Sequence, residues 1–537
     1  MCKMWEKRDD STNRIQQKVE KGNYLLGGIM ARNKEKKDRK KGPVLVIGLM
    51  TLVIVLLSFL FSTLEIEGSQ TTIANGTLES SLVTVKNVLS VDGFRFMIGN
   101  AVSNFKLLEP LVYLIISLIG IGICEKSGFL KVLFGPLRKV KLNLVIYITI
   151  LMGMISTVMG DYSYIFLTPL IGVMYKYIGK NPVLGILTLY LGITLGYGTG
   201  IIFNYNDHLI GMLSQDSAQL TVDPNYKYSL FSNLYIMIIS TIVVSLLSTF
   251  VIDKFLVPKL AVRHTVEEEE LNVSKKAMVA SLGFGLCYIV FIIYMILPLK
   301  SPLSGILLDH SAQRYMDQLL GTNSPFGNGL VLIITFLFII FGYIYGKVSG
   351  NIKNGSEFSL GLSKNFEGLG FLFVITFFAS QMFAILDWSN LGTVVACRLT
   401  EFLNGLQFSG IILIVVFFIV VILMSILLPG TMQKWNLLYP TVIPLFMRSN
   451  ITPGFTQFIF KIADGIGKSI TPMFIYFIIM LAFLEKYRTD ENHQISVFGT
   501  LKLILPCIIM IAGIWLLLII LWYVIGIPIG IGTYITL

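Results

Sequence analysis

Five ionisable residues stand inside or beside apolar sequence: Asp161, Lys434, Lys461, Asp464 and Lys468. A charge at membrane depth is costly, so it faces a partner or a watery cavity and marks a path for an ion or solute. A carboxylate beside hydroxyl oxygens suits a hard cation such as Na⁺, whereas a carboxylate alone can carry a proton. The oxygens at hand belong to Ser163, Thr199, Thr431, Ser469 and Thr471, and Gly198, Gly200, Gly430, Gly465 and Gly467 allow the backbone turns such a site needs. The lysines point to an anionic solute. Trp435, next to Lys434, can stack on an aromatic ring or simply pack. Lys468 can contact the solute or pair with Asp464, four positions earlier on one helical face. Pro453 and Pro472 either bound helices or set kinks at the site. Gln381 sits in an apolar run and can line a cavity.

These residues must be held by membrane elements. The 537-residue chain is 54% hydrophobic and 14% charged. Apolar runs lie near 44–63, 107–124, 142–159, 162–179, 183–203, 229–252, 277–298, 328–346, 369–386, 409–428, 436–447, 455–484 and 499–527. Most are long enough to cross a bilayer as helices, about 18 residues or more, and helices satisfy every backbone group internally. The alternating ten-residue segments of a β-barrel are not seen. The fold class is an all-α membrane protein. The run at 436–447 is too short to span, and Asp464-Gly-Ile-Gly-Lys468 interrupts 455–484.

The net charge is +11, concentrated in the N-terminal tail and short loops. That is the positive-inside pattern, not a nucleic-acid face. Residues 1–43 read as a basic cytoplasmic tail before an uncleaved signal-anchor, and 44–537 as one transporter domain. The loops 125–141, 253–276 and 347–368 are basic and the segments 64–106 and 204–228 are not. The N-terminus is therefore expected inside and the C-terminus outside. The acidic run Glu267–Glu270 reads as a solvated loop face.

Enzyme chemistry finds no support. The five cysteines, Cys2, Cys124, Cys287, Cys397 and Cys507, form no CxxC pair, and the four histidines form no HExxH motif. No cofactor is expected beyond a coupling Na⁺ or H⁺.

Two segments share a plan. Runs 142–159 and 162–179 are joined by Met159-Gly-Asp-Tyr-Ser163 with no real loop; they are either two full spans or one re-entrant hairpin, about 141–180. Runs 409–428 and 436–447, joined by Pro429-Gly-Thr-Met-Gln-Lys-Trp435, repeat the design over about 409–448. Tyr164-Ile-Phe-Leu-Thr-Pro169 resembles Trp435-Asn-Leu-Leu-Tyr-Pro440. Each pair is followed by a glycine-broken run, about 183–207 and 454–485. Two copies entering from opposite sides make an inverted repeat, the sequence pointer to a midplane transport site. Re-entrant hairpins leave nine full spans.

At these residues the chain resembles the p-aminobenzoyl-glutamate transporter (AbgT) family. The strongest match is Lys434-Trp-Asn-Leu-Leu-Tyr-Pro-Thr-Val-Ile-Pro-Leu-Phe-Met447, then Thr456-Gln, Lys461-Ile-Ala-Asp464 and Ile470-Thr-Pro472. Asn87 to Arg95, Gly122 to Gly128, Gly160-Asp161, Phe378 to Gln381 and Ser389 to Gly392 are also similar. The resemblance implies a homodimer with two opposed hairpins and Na⁺ or H⁺ coupling. It implies transport of aminobenzoyl-glutamate or efflux of sulfonamide-like drugs, with Asp161, Trp435, Pro453, Lys461, Asp464 and Pro472 functional. The chain departs from the family at Gly430-Thr-Met-Gln433, Gly198-Thr-Gly200 and Gly467-Lys468. Side-chain oxygens are lost there and a lysine is gained, so Lys468 can stand in for a bound cation. A dicarboxylate symporter of the same plan and an ion channel are the competing readings.

Overall fold

The computed structural model describes residues 42–74, 76–260, 272–405, 408–488 and 495–537. The basic tail and the run Glu267–Glu270 lie outside the described residues. The body, Pro43–Leu537, is helical with one small sheet. In chain order its main helices are α1 (Pro43–Thr63), α2 (Glu109–Lys126), α3 (Leu142–Ser156), α4 (Tyr162–Tyr177), α5 (Pro182–Thr194), α6 (Tyr205–Thr221), α7 (Leu234–Phe255) and α8 (Lys275–Ile296). They continue with α9 (Pro325–Ser349), α10 (Gly370–Trp388), α11 (Leu391–Gly405), α12 (Gly410–Leu427), α13 (Thr431–Arg448), α14 (Pro453–Ser469), α15 (Ile475–Lys486) and α16 (Val497–Ile525).

Among the described residues, eight helices are long and apolar enough to cross a membrane. A ninth is possible if Glu109–Lys126 and Phe129–Lys139, bent by 74°, form one span. The fold is thus an all-α, multi-pass membrane architecture. Arms α3 and α12 are among the eight, with α3 extended through Met159.

The segment 64–106 contains an antiparallel hairpin, β1 (Glu67–Ala74) with β2 (Thr77–Thr84), in register from Glu67↔Thr84 to Ala74↔Thr77. Its serine- and threonine-rich strands carry too little hydrophobic alternation to stand out in an apolar chain. The hairpin packs on α11 and α13.

The inner elements are recognisable by what they bury. Every residue of α14 is buried, and α4, α5 and α15 are almost as enclosed. Helix α14 packs on α12, α13, α5 and α6, while α5 packs on α3, α4 and α15. By contrast α8 leaves most of its side chains uncovered. A helix hydrophobic on all sides and wholly covered is a core element; one exposed and apolar is a lipid-facing element.

One expectation about the breaks needs correction. Helix α14 runs unbroken through Asp464-Gly-Ile-Gly-Lys468 and ends at Ser469; the interruption is at 470–474, around Thr471 and Pro472. The glycines serve close packing instead. A Cβ on Gly465 would lie 2.1 Å from the Thr194 carbonyl oxygen, and one on Gly467 would lie 2.5 Å from Ser425 Cβ. Two positions apart, they face opposite sides of α14, so it slots between α12 and the end of α5. The short run 436–447 is part of an 18-residue helix, α13, that starts at Thr431 and holds Pro440 and Pro444 internally.

Candidate functional site

The first break fits its sequence. Helix α5 stops at Thr194, the chain is irregular from Leu195 to Asn204, and Gly200 has φ +135°, which favours glycine. Helix α6 then starts on a capping box, with Asn204 accepting from the Asp207 N–H and Asp207 accepting in return.

Helix ends inside the bundle expose carbonyls that water cannot reach, and side chains satisfy them. Trp515 Nε1 donates to the Leu195 carbonyl at 2.8 Å. The Tyr190 hydroxyl donates to the Lys468 carbonyl at 3.2 Å. At the end of α12, Thr471 Oγ1 donates to Ile426 O at 2.7 Å and Lys434 Nζ donates to Leu428 O at 2.5 Å. The ammonium also suits the negative end of the α12 dipole.

The centre of the site is Asp464. Its Oδ1 lies 2.7 Å from Lys434 Nζ and accepts from Ser425 Oγ at 3.0 Å. Its Oδ2 accepts from Thr431 Oγ1 at 2.6 Å and lies 3.1 Å from Lys468 Nζ. Lys468 also donates to Thr431 Oγ1. Asp464 and Lys434 are fully buried and Lys468 nearly so. Helical side chains lean toward the N-terminus, which brings the Lys468 ammonium back one turn onto Asp464. The same ammonium lies 4.4 Å from the Tyr197 ring centroid and 5.4 Å from that of Phe474, within cation–π reach. One carboxylate therefore holds two ammonium groups and two hydroxyls, tying α12, α13 and α14.

Asp161 makes no hydrogen bond or ion pair with this cluster but lies within coulombic reach of Lys468, Asp464 and Lys434. The Tyr197 hydroxyl donates to Asp161 at 3.4 Å, a long bond, and receives one from Asn206 at 3.3 Å. Asp161 follows Gly160, whose φ of +58° makes the tight turn between the α3 and α4 arms. It lines two cavities. One, of about 310 Å³, is shared with the second tip at Pro429, Gly430, Thr431 and Gln433, and with Phe383, Asp387 and Met473 to Tyr476. The other, of about 300 Å³, includes Asn204, Asn206, Thr322 and Asn328. Each sits at the lower end of small-molecule pockets, roughly 300–1,000 Å³. Residues of both turns line the first of these cavities. The cluster lysines are not among its lining residues.

Other expected residues lie elsewhere. Trp435 is fully buried, donates from Nε1 to Ile210 O at 3.3 Å and packs its ring 4.6 Å from that of Phe460. It packs and lines neither cavity. Lys461 pairs with Asp207 on α6. Gln381 bonds to Ala101 O at 2.9 Å and receives a bond from Asn104 at 3.1 Å. Pro453 opens α14 and Pro472 lies in the break after it.

Most of the residues expected to hold Na⁺ already make hydrogen bonds of their own. Ser163 donates to the carbonyls of Ser156 and Gly160, Thr199 to Gly196 and Ser469 to Ile466. The Gly200 N–H donates to Thr241 Oγ1. Ser163, Thr199, Gly200 and Ser469 line neither cavity. Thr431 is bonded to Asp464 and Lys468, and Gly430 adds only backbone at the start of α13.

Tyr197, Asp207, Ser425 and Asp387 escaped the sequence reading. The Asn204-x-x-Asp207 capping pattern was the available signal for Asp207. Ser425 and Tyr197 carry none beyond standing near a tip and a break.

Residues 37–537 match the family described as "AbgT putative transporter family". The chain is 26% identical over 486 residues to the p-aminobenzoyl-glutamate transport protein of Escherichia coli (strain K12), covering 90% of this chain and 93% of that one. It is similar to the solved YdaH transporter of Alcanivorax borkumensis at 24% identity and TM-score 0.46, covering 91% of this chain and all of that one. Its similarity to MtrF of Neisseria gonorrhoeae is 24% identity and TM-score 0.47, covering 92% and 98%.

Proposed function

We propose, from the premise that this chain belongs to the AbgT family of transporters, that it is an ion-coupled secondary transporter of a small anionic solute of the aminobenzoyl-glutamate type. It is a transporter and not an enzyme. The solute reading draws on the Escherichia coli relative, which is a p-aminobenzoyl-glutamate transport protein.

The observation that carries the proposal is the cavity shared by Asp161 and the Pro429–Gln433 tip. Helix α13 begins in that cavity at Thr431, and its unpaired N–H groups offer partial positive charge to an anion. Behind Thr431 the ammonium groups of Lys434 and Lys468 engage Asp464, while the carboxyl groups of Asp161 and Asp387 stand in the cavity wall itself. Tyr476, Phe474 and Phe383 give the cavity apolar and aromatic walls suited to an arene. In this reading both tips are re-entrant hairpins that open the cavity to one side at a time. The chain works as a homodimer in the cell membrane, with the N-terminus inside and the C-terminus outside.

Uptake of labelled p-aminobenzoyl-glutamate and, separately, labelled succinate into proteoliposomes under imposed Na⁺ or H⁺ gradients tests it. Accumulation of the first and not the second supports the proposal. Accumulation of succinate alone replaces the solute with a plain dicarboxylate, and accumulation of neither under any gradient overturns the proposal.

A further inference from the structure

We propose that Lys468 is a tethered cation: its ammonium occupies, as part of the chain, the position between Thr431, Asp464 and the Tyr197 ring that a coupling Na⁺ would take, so transport does not require Na⁺. The inference rests on the transporter reading above and adds what that reading leaves open, the identity of the ion.

The geometry is that of a cation site already filled. A hard cation seeks hydroxyl and carboxylate oxygens, and the two such oxygens here, Thr431 Oγ1 and Asp464 Oδ2, both contact Lys468 Nζ. The rest of its surroundings are the aromatic faces of Tyr197 and Phe474, which suit an ammonium on a greasy stem. The other oxygen of Asp464 already holds Lys434. A mobile Na⁺ would be a third positive charge in contact with the Asp464 carboxylate, whose contacts Asp161, bonded to the Tyr197 hydroxyl, does not share. Like charges at such separations repel strongly where water is excluded.

A tethered cation also differs in kind from a bound one. Its occupancy does not vary with salt, and it joins α14 to α13 permanently. The driving species must then be a proton or a counter-transported anion.

The test uses the purified full-length protein and two readouts. The first is the melting temperature in NaCl against choline chloride at equal ionic strength, since any ion that binds only the folded state raises it by mass action. The second is initial uptake of labelled p-aminobenzoyl-glutamate into proteoliposomes with internal and external Na⁺ replaced by choline. The wild-type protein should show the same melting temperature and the same initial rate in both salts. Lys468→Asn, which removes the ammonium and leaves the oxygens, should gain a melting temperature that climbs with Na⁺ and lose uptake in choline by several-fold relative to Na⁺. Where Lys468→Asn does not fold, Lys468→Gln supplies the same comparison. A wild-type melting temperature or rate that depends on Na⁺ overturns the inference, and so does a folded variant blind to Na⁺. If aminobenzoyl-glutamate is not moved at all, the solute reading fails while the melting comparison still decides this one.

Discussion

The carboxylate of Asp464 and the ammonium of Lys434 lie 2.7 Å apart with neither side chain exposed. Lys434 is on α13 at the second tip and Asp464 is in the middle of α14, so this contact, with that of Lys468, fixes the tip against the most enclosed helix of the protein. An ion pair removed from water is held by its geometry and its added hydrogen bonds, and here both carboxylate oxygens are fully engaged.

Removing the carboxylate should therefore be severe. Asp464→Ala strands two buried ammonium groups, and breaking a buried pair in this way costs about 3–5 kcal/mol. We expect a large fall in melting temperature and loss of uptake. Adding Lys434→Met to Asp464→Ala should recover part of the stability, because one stranded charge is gone. A double-mutant cycle measures this coupling; additive losses would contradict the cluster.

Gly465→Ala should destabilise the protein by roughly 1–3 kcal/mol, the usual cost of overpacking, because its Cβ would fall 2.1 Å from the Thr194 carbonyl oxygen. Gly513→Ala, on α16 with nothing within 4 Å, should leave the melting temperature unchanged or slightly higher. Equal tolerance at both positions would mean that α14 does not approach the first break closely.

Lys461 and Asp207 join α14 to α6 next to the first break. Either residue replaced by Ala should weaken the protein by about 1.5–3 kcal/mol, the worth of a charged hydrogen bond. Lys461→Arg should retain transport, and Lys461→Asp combined with Asp207→Lys should recover stability lost in either single reversal. A double reversal no better than the singles would argue against the pair.

Asp161→Asn keeps the shape and removes the charge at the wall of both cavities. Its one bond from Tyr197 is long, so the melting temperature should barely move while initial uptake falls by tenfold or more, about 1.4 kcal/mol in the barrier. Normal uptake by a folded Asp161→Asn protein would remove Asp161 from the transport path.

The spans were readable because uninterrupted apolar length has one dominant meaning in a membrane chain. Asp161, Lys434 and Asp464 stood out in the sequence because they are charges where charge is expensive. What stayed hidden has physical reasons. Glycines at 465 and 467 look the same in sequence whether they break a helix or admit a neighbour, and only the packing of Thr194 and Ser425 against them decides. The start of α13 was masked because Gln433 and Lys434 lower its hydropathy, although Lys434 is buried by its pairing with Asp464. Trp435 beside a lysine suggested a stacking platform, but helix geometry turns it toward Phe460 and Ile210. The partners of distant residues, such as Asp207 for Lys461, lie 254 positions apart and leave no local trace.

Solute counterflow tests the central claim most directly. Proteoliposomes loaded with unlabelled p-aminobenzoyl-glutamate and diluted into a trace of labelled solute should accumulate label transiently above equilibrium, with the membrane potential clamped. A carrier that alternates one loaded site between two sides must do this, and Asp161→Asn should not. Label that only equilibrates, with conductance in place of exchange, would contradict an alternating site between the Asp161 and Thr431 tips.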